Sequence, residues 1–518
     1  MQKSTLDDVG DDAVGSINPG AKDASSPQQN MSQVATRGAL IVLGGRAARI
    51  LCQFASLVVT ARYLSPTDFG LAAMAGAIVG VASMLGDFGL SLSALRFPSL
   101  PPSERNSLFW ISTALGAVLA IVVAISGPAL SAFYNEPRIT LIVLWLCPLF
   151  IINGASAQYR VYMMQTNKYI AAAVIDTGSA VFSLLIGVMA ALGGAGYWTL
   201  ISQNLSFSAI SLLLVMLACG WLPMTGLRIK EIKSHFNFGW SSTATQICNY
   251  FSSNISSVAL GKFLGPIAVG TFSRAFQLFS LPVDQLTSPL TALMLPLLGK
   301  VPLERVPFVL IRIQRCLVYT ILGVCLFVAV GGSPLVTIIL GSKWAGIDII
   351  LQTLMIGAVF QISGYIYYWA FLRTGKVKVM FWCEVPSRLV MAGLVAYGAW
   401  YGEMGAAIGH SVGLAVCWIV AGTIGMRALS WPIRPLLFGS ALPVALYGWA
   451  FFVGNSVRIL ADGFVVPPIV SLIITLGATA LAICCGLIFP IYRQHARELI
   501  ELGLSVRKKS LPTSFQEV

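Results

Sequence analysis

Fourteen mostly apolar stretches, each long enough to cross a bilayer, succeed one another between residues 38 and 488. A membrane-spanning helix needs about 20 such residues, because every backbone N–H and C=O must find its partner inside the segment once water is excluded. The stretches are 38–60, 69–91, 108–132, 139–160, 169–191, 197–219, 239–261, 268–296, 308–332, 347–371, 378–400, 404–426, 436–457 and 466–488. They predict an all-α, polytopic membrane protein of about fourteen transmembrane helices. Composition leaves little room for a soluble alternative: 57% of residues are hydrophobic and mean hydropathy is +0.81. Only 10% are charged, against roughly 25% in soluble domains. The seventh stretch is the weakest, since Ser241 to Gln246 and Asn249 to Ser253 are too polar for a helix facing lipid.

An internal repeat keeps that stretch in the series. Lys262-Phe263-Leu264-Gly265-Pro266 and the following Gly270 reprise Arg62-Tyr63-Leu64-Ser65-Pro66 and Gly70, with cation, Leu, Pro and Gly in register after 200 residues. Each copy lies between two long helical segments, so the repeat predicts two pseudo-symmetric six-helix halves. The expected organisation is a disordered tail over 1–36, a first half over 37–225, a second over 226–430, two extra helices over 431–490 and a tail over 491–518. Six is an even number, so the halves share one orientation and are related by an axis along the membrane normal.

Lys and Arg mark cytoplasmic loops. With the amino terminus inside, twenty-two of them, from Arg37 to Lys509, fall in inner loops and tail. Five fall outside: Arg62, Arg138, Lys262, Lys343 and Arg458. Both termini are therefore expected in the cytoplasm, and the net charge of +13 reflects topology and membrane lipid, not nucleic acid. The acidic, polar stretch with Asp7, Asp8, Asp11 and Asp12 lacks the apolar core of a signal peptide. Ten cysteines without CxxC spacing read as packing residues, and His235, His410 and His495 stand apart. No metal, cofactor or catalytic residue is expected.

Chemistry concentrates in the first span. Arg46, Arg49, Gln53, Ser56 and Thr60 recur at spacings of three and four, which places them on one helix face. Each Arg at mid-membrane costs roughly 2.5–3.5 kcal/mol, so such a face turns to a bundle interior or aqueous cavity. Snorkelling of Arg46 and Arg49 to the inner headgroups is the alternative. The repeat maps the stripe onto Gln246, Asn249, Ser253 and Ser256, favouring one shared cavity with a cationic wall. The eighth span adds Arg274, Gln277, Asp284 and Ser288, either as part of that cavity or as an internal Arg274–Asp284 network. Glu384 and Arg388, four apart in the eleventh span, read as a self-neutralising ion pair. Asp87 and Asp176 sit near inner helix ends in reach of water, and Tyr365, Tyr367, Tyr368 and Trp369 read as an interfacial belt. Gly44-Gly45, Pro282 and Pro289 are candidate bend points.

The runs Leu64-Ser65-Pro66-Thr67-Asp68-Phe69-Gly70-Leu71-Ala72-Ala73-Met74, Gly86-Asp87-Phe88-Gly89-Leu90, Phe133-Tyr134-Asn135-Glu136-Pro137, Gly196-Tyr197-Trp198-Thr199-Leu200 and Gly341-Ser342-Lys343-Trp344 together resemble the polysaccharide transporter, or Wzx-type flippase, family. Its superfamily also contains the lipid II flippase and the multidrug and toxin extrusion transporters. The resemblance spans about residues 36–490 and looks closest to the exopolysaccharide branch. It implies a non-enzymatic flippase of the bacterial inner membrane that moves undecaprenyl-diphosphate-linked oligosaccharide to the periplasmic leaflet for exopolysaccharide or lipopolysaccharide assembly. A polysaccharide polymerase and a chain-length regulator of the same pathway are its expected partners. Arg46, Arg49, Gln53, Arg274, Gln246 and Asn249 are the expected substrate contacts, with Asp284 and Glu384 as candidates for energy coupling. The superfamily also admits a cation-coupled small-molecule antiporter, which favours carboxylates over arginines.

Overall fold

The computed structural model describes residues 27–87, 101–224, 250, 254–299, 301–464, 466–490 and 492–495, and every regular element among them is helical. The first group is α1 (Pro27–Tyr63), α2 (Pro66–Asp87), α3 (Pro102–Tyr134), α4 (Arg138–Gln165), α5 (Tyr169–Leu192) and α6 (Trp198–Cys219). After residues outside the description come α7 (residues 254–264), α8 (Pro266–Gly299), α9 (Val306–Ile339), α10 (Ile347–Thr374), α11 (Val377–Ala399) and α12 (Glu403–Ala428). Then follow α13 (Ile433–Ala461) and α14 (Pro468–Gly486). Ten of the described helices are long and apolar enough to cross a membrane, and this is a multi-pass membrane protein. α1, α2 and α8 add 37, 22 and 34 helical residues.

Proline sets several starts. Pro66, Pro102, Pro266 and Pro468 stand in first turns, where a missing N–H costs nothing. Asn135, Gly220 and Gly375 end α3, α6 and α10 in the left-handed conformation. α1 begins at Pro27, well inside the expected tail. Proline suits that position, and Gln28 to Arg37 contain no helix breaker.

Small residues decide how closely the helices approach. A Cβ on Gly70 would meet the Pro266 carbonyl, and one on Gly270 would meet the Pro66 carbonyl. The two copies of the repeat thus cross reciprocally where α2 meets α8. α3 and α4 do the same at Gly116 and Gly154, each facing the other's backbone. Elsewhere α1 lies beside α5, α10 beside α8 and α12, and α14 against α9 and α13.

One backbone break lies at a glycine outside the candidate bend points. α1 runs unbroken through Gly44-Gly45, and α8 through Pro282 and Pro289. The break falls in α9 at Gly332, with φ 40° and ψ −127°. Polar groups gather there: Gln352 Nε2 donates to the Ala329 carbonyl at 3.0 Å, and Arg458 pairs with Asp348 at 3.1 Å. The tyrosine cluster of α10 also departs from the expected belt. Tyr367 and Trp369 are fully buried, donating to the Leu436 carbonyl and to Thr291 Oγ1. α10 is enclosed by α8, α9 and α12, so its aromatics pack into the core.

Candidate functional site

The stripe on α1 opens onto a cavity of about 690 Å³ between α1, α2, α5, α6 and α8. Arg49, Gln53, Ser56 and Thr60 line it from α1, as the three-and-four spacing predicts. Arg274, Gln277 and Asp284 line it from α8. Four sequence-derived site residues, Arg49, Gln53, Arg274 and Asp284, therefore meet in one space. Arg46 lies on α1, but its side chain is outside the described set; Gln246 and Asn249 are outside the described residues altogether.

The two arginines are held differently. Arg49 Nη1 stands 3.6 Å from Asp176 Oδ2, and its guanidinium is 5.8 Å from the Phe207 ring. Arg274 has no carboxylate among the described residues. Its Nη1 donates to Gln277 Oε1 at 2.6 Å, its guanidinium lies 3.5 Å from the centroid of the Phe69 ring, and its buried Nε makes no hydrogen bond. A ring face and an amide offset part of the desolvation of a guanidinium. Among the described residues nothing neutralises its charge, which is the condition for capturing an anion. Phe69 is itself backed by Trp344 at 5.3 Å, whose indole N–H donates to the Ala61 carbonyl. The wall under Arg274 is thereby fixed.

The expected Arg274–Asp284 network does not form. Ten residues of continuous helix separate their Cα atoms by about 15 Å, beyond the reach of the two side chains. Asp284 forms no ion pair with another described residue. Glu384 lies elsewhere, in a separate cavity of about 290 Å³ between α10, α11 and α12 with Arg388, Gln361, Tyr365 and Tyr368. Glu384 and Arg388 are not within ion-pair distance either, so the self-neutralising pair is replaced by two charged groups facing one small space.

Sequence reasoning gave Arg160 and Gln203 no site role and read Asp176 only as a helix-end residue in reach of water. Asp176 is in reach of water and is also paired: Arg160 Nη2 donates to its Oδ1 at 3.0 Å, while Arg49 approaches its other oxygen. Gln203 Nε2 donates to Ser56 Oγ at 2.7 Å, tying α6 to the stripe. The signal available was one charge inside each of α4 and α5, Arg160 and Asp176, which periodicity within one helix cannot connect.

The end of the bundle carrying the repeat is knit across its middle. Arg62 Nη2 donates to the Ile338 carbonyl at the end of α9, and Lys262 Nζ to the Phe133 carbonyl at the end of α3, both at 2.8 Å. The two cations of the repeat thus make matching contacts with the ends of corresponding helices.

Comparison with known proteins agrees with these features. A family model described as polysaccharide biosynthesis protein matches residues 59–348. The chain is 25% identical over 476 residues to the succinoglycan biosynthesis transport protein ExoT of Rhizobium meliloti, covering 90% of this chain and 94% of that one. It is 23% identical over 407 residues to the lipopolysaccharide biosynthesis protein WzxC of Escherichia coli, covering 76% and 80%. Among solved structures, the lipid II flippase MurJ in an inward closed conformation superposes with a TM-score of 0.66 at 13% identity, over 88% of this chain and 99% of that one.

Proposed function

Because the chain belongs to the polysaccharide biosynthesis protein family, we propose that it is a flippase that carries a polyprenyl-diphosphate-linked oligosaccharide across the bacterial inner membrane for export of a surface polysaccharide. The observation that carries this reading is the pair Arg49 and Arg274, which face one cavity from helices of the two repeat-related groups. Diphosphate and sugars cannot cross hydrocarbon unaided, so a polar route must be supplied while the prenyl tail stays in lipid. Arg remains charged in a partly dry site and meets phosphate bidentately. Gln53, Ser56, Thr60, Gln203 and Gln277 offer hydroxyl and amide groups for sugars. Arg46, Gln246 and Asn249, outside the described side chains, are proposed as further substrate contacts on the sequence repeat alone. Rocking of the two halves would expose the site to each leaflet in turn.

In this orientation both termini are cytoplasmic, and the end with Arg62 and Lys262 faces the periplasm. A polymerase and a chain-length regulator would take up the delivered units. The test is transfer of a fluorescent lipid-linked oligosaccharide in proteoliposomes: Arg49→Gln and Arg274→Gln should each lose most of it at wild-type abundance. Normal transfer in both variants would overturn the reading. Asp284, in the cavity with no ionic partner among the described residues, supports a second reading, a cation-coupled antiporter of small molecules, with Glu384 as a further carboxylate. Cation-driven efflux of small amphiphiles that is lost in Asp284→Asn and unaffected by Arg49→Gln would favour it.

A further inference from the structure

We propose that Asp176 is the resident counter-ion of Arg49, parking its guanidinium in the unloaded cavity and yielding it to the phosphate of the substrate. This rests on the reading of the substrate as an anion. Two cations from different helices claim this one carboxylate. Arg160 of α4 holds Oδ1 at 3.0 Å and also donates to Ser211 Oγ of α6 at 2.7 Å, so it binds α4, α5 and α6 together. Arg49 of α1 faces the other oxygen at 3.6 Å, outside hydrogen-bond range. Arg49 can therefore leave without breaking a hydrogen bond, whereas Arg160 cannot.

Exposure points the same way: the Arg49 side chain is 42% exposed and that of Asp176 23%. A pair so placed is worth roughly 0.2–1 kcal/mol. A diphosphate brings more charge and accepts bidentate, charge-assisted hydrogen bonds, so exchange favours the substrate. The triad of two cations and one anion keeps a net positive charge at the cavity wall. When the substrate leaves, Asp176 reclaims Arg49 and opposes rebinding. Asp176 is thus a positioning residue that trades affinity for release.

The experiment is titration of inorganic pyrophosphate and of farnesyl diphosphate into the full chain in nanodiscs, with transfer kinetics in proteoliposomes. Asp176→Asn should bind both probes about two- to fivefold more tightly, the factor such a pair can withhold. The gain should vanish in an Arg49→Gln background. Transfer should show a lower KM together with a lower turnover, which a merely structural role does not produce. Should Asp176→Asn fold poorly because Arg160 is stranded, the comparison moves to Arg160→Gln with and without Asp176→Asn, where the same tightening is expected. Equal or weaker binding by the Asp176 variants, with Arg49→Gln still weakening it, overturns the counter-ion and leaves the flippase standing. If the wild type binds neither probe, the anionic-substrate reading fails and this inference with it.

Discussion

At the scale of single residues, the cavity keeps a charge that stability alone would discard. Arg274 is lined up against Phe69 and Gln277 with no carboxylate among the described residues, and an apolar side chain of similar length avoids the desolvation that such a buried charge costs. Arg274→Met is therefore expected to unfold at the wild-type temperature or above it, by about 1 kcal/mol, while transfer of lipid-linked oligosaccharide is lost. A marked drop in the unfolding temperature in detergent would instead make Arg274 a packing residue. Glu136, in the turn between α3 and α4, gives a pH dependence of known sign. Arg138 donates to both its oxygens, at 2.7 and 2.9 Å, and these hydrogen bonds hold the carboxyl below the usual range against the opposing effect of burial. The contribution is present above the unfolded pKa of about 4 and lost as pH falls through the lower folded value. The difference in unfolding temperature between wild type and Glu136→Gln should stay constant from about pH 8 to about pH 5 and shrink below about pH 4. Growth of that difference in acid would contradict the assignment.

At the scale of helices, the contacts that matter most are those between backbones. Gly70 and Gly270 each face the other repeat's proline carbonyl, so Gly70→Val must push α2 away from α8. A loss of about 2–4 kcal/mol, seen as reduced membrane abundance and a lower unfolding temperature, is expected from such overpacking. The repeat made the two halves legible in the sequence, whereas the crossing of its two glycines is set by how α2 and α8 pack. The break in α9 was not legible in the same way. Gly332 is one of 49 glycines, and the one local signal beside it is Pro334 two residues on. What fixes it is Arg458 on α13, whose guanidinium lies where a Cβ on Gly332 would go and which is anchored to Asp348. The site divides along the same line. Periodicity could find the faces of α1 and α8, since each is a property of one helix. The Arg49–Asp176–Arg160 triad joins three helices, and only the packing brings them together. With φ positive and the arginine in the way, Gly332→Ala should cost about 1–3 kcal/mol, and Asp348→Asn, which loosens the same arginine, should also lower the unfolding temperature. An unchanged Gly332→Ala protein would show that the break carries no strain.

At the scale of the whole molecule, alternating access requires one end of the bundle to part, and the repeat marks which contacts must yield. Arg62 and Lys262 each neutralise the carbonyl end of a helix related to the other group, the position where a cation also complements the helix dipole. Around them Ala61, Leu64, Met74, Val269 and Phe272 are fully buried, so this end is shut in the state described. Four of the runs that carry the family resemblance meet here: Asp68 accepts from the Tyr197 N–H, Phe69 packs on Trp344, and Lys262 donates to the Phe133 carbonyl. Those four runs are legible as contiguous blocks because they pack together at one end of the bundle, within and between the two groups, whereas the cavity wall offers only dispersed polar residues. Each cation–dipole contact is worth about 0.3–1 kcal/mol, too little to lock the molecule and enough to bias it. Arg62→Ala with Lys262→Ala should therefore shift the population about three- to thirtyfold toward the state open at this end. Cys52, which lines the cavity, reports on it. In a variant retaining Cys52 alone, an impermeant thiol reagent applied from the face of Arg62 and Lys262 should label the double variant severalfold faster than its parent. Labelling from the opposite face should slow in step, because the two accessibilities draw on one equilibrium. Equal labelling of parent and double variant from both faces would show that the seam is held by its apolar packing and that the paired cations do not set the balance between states.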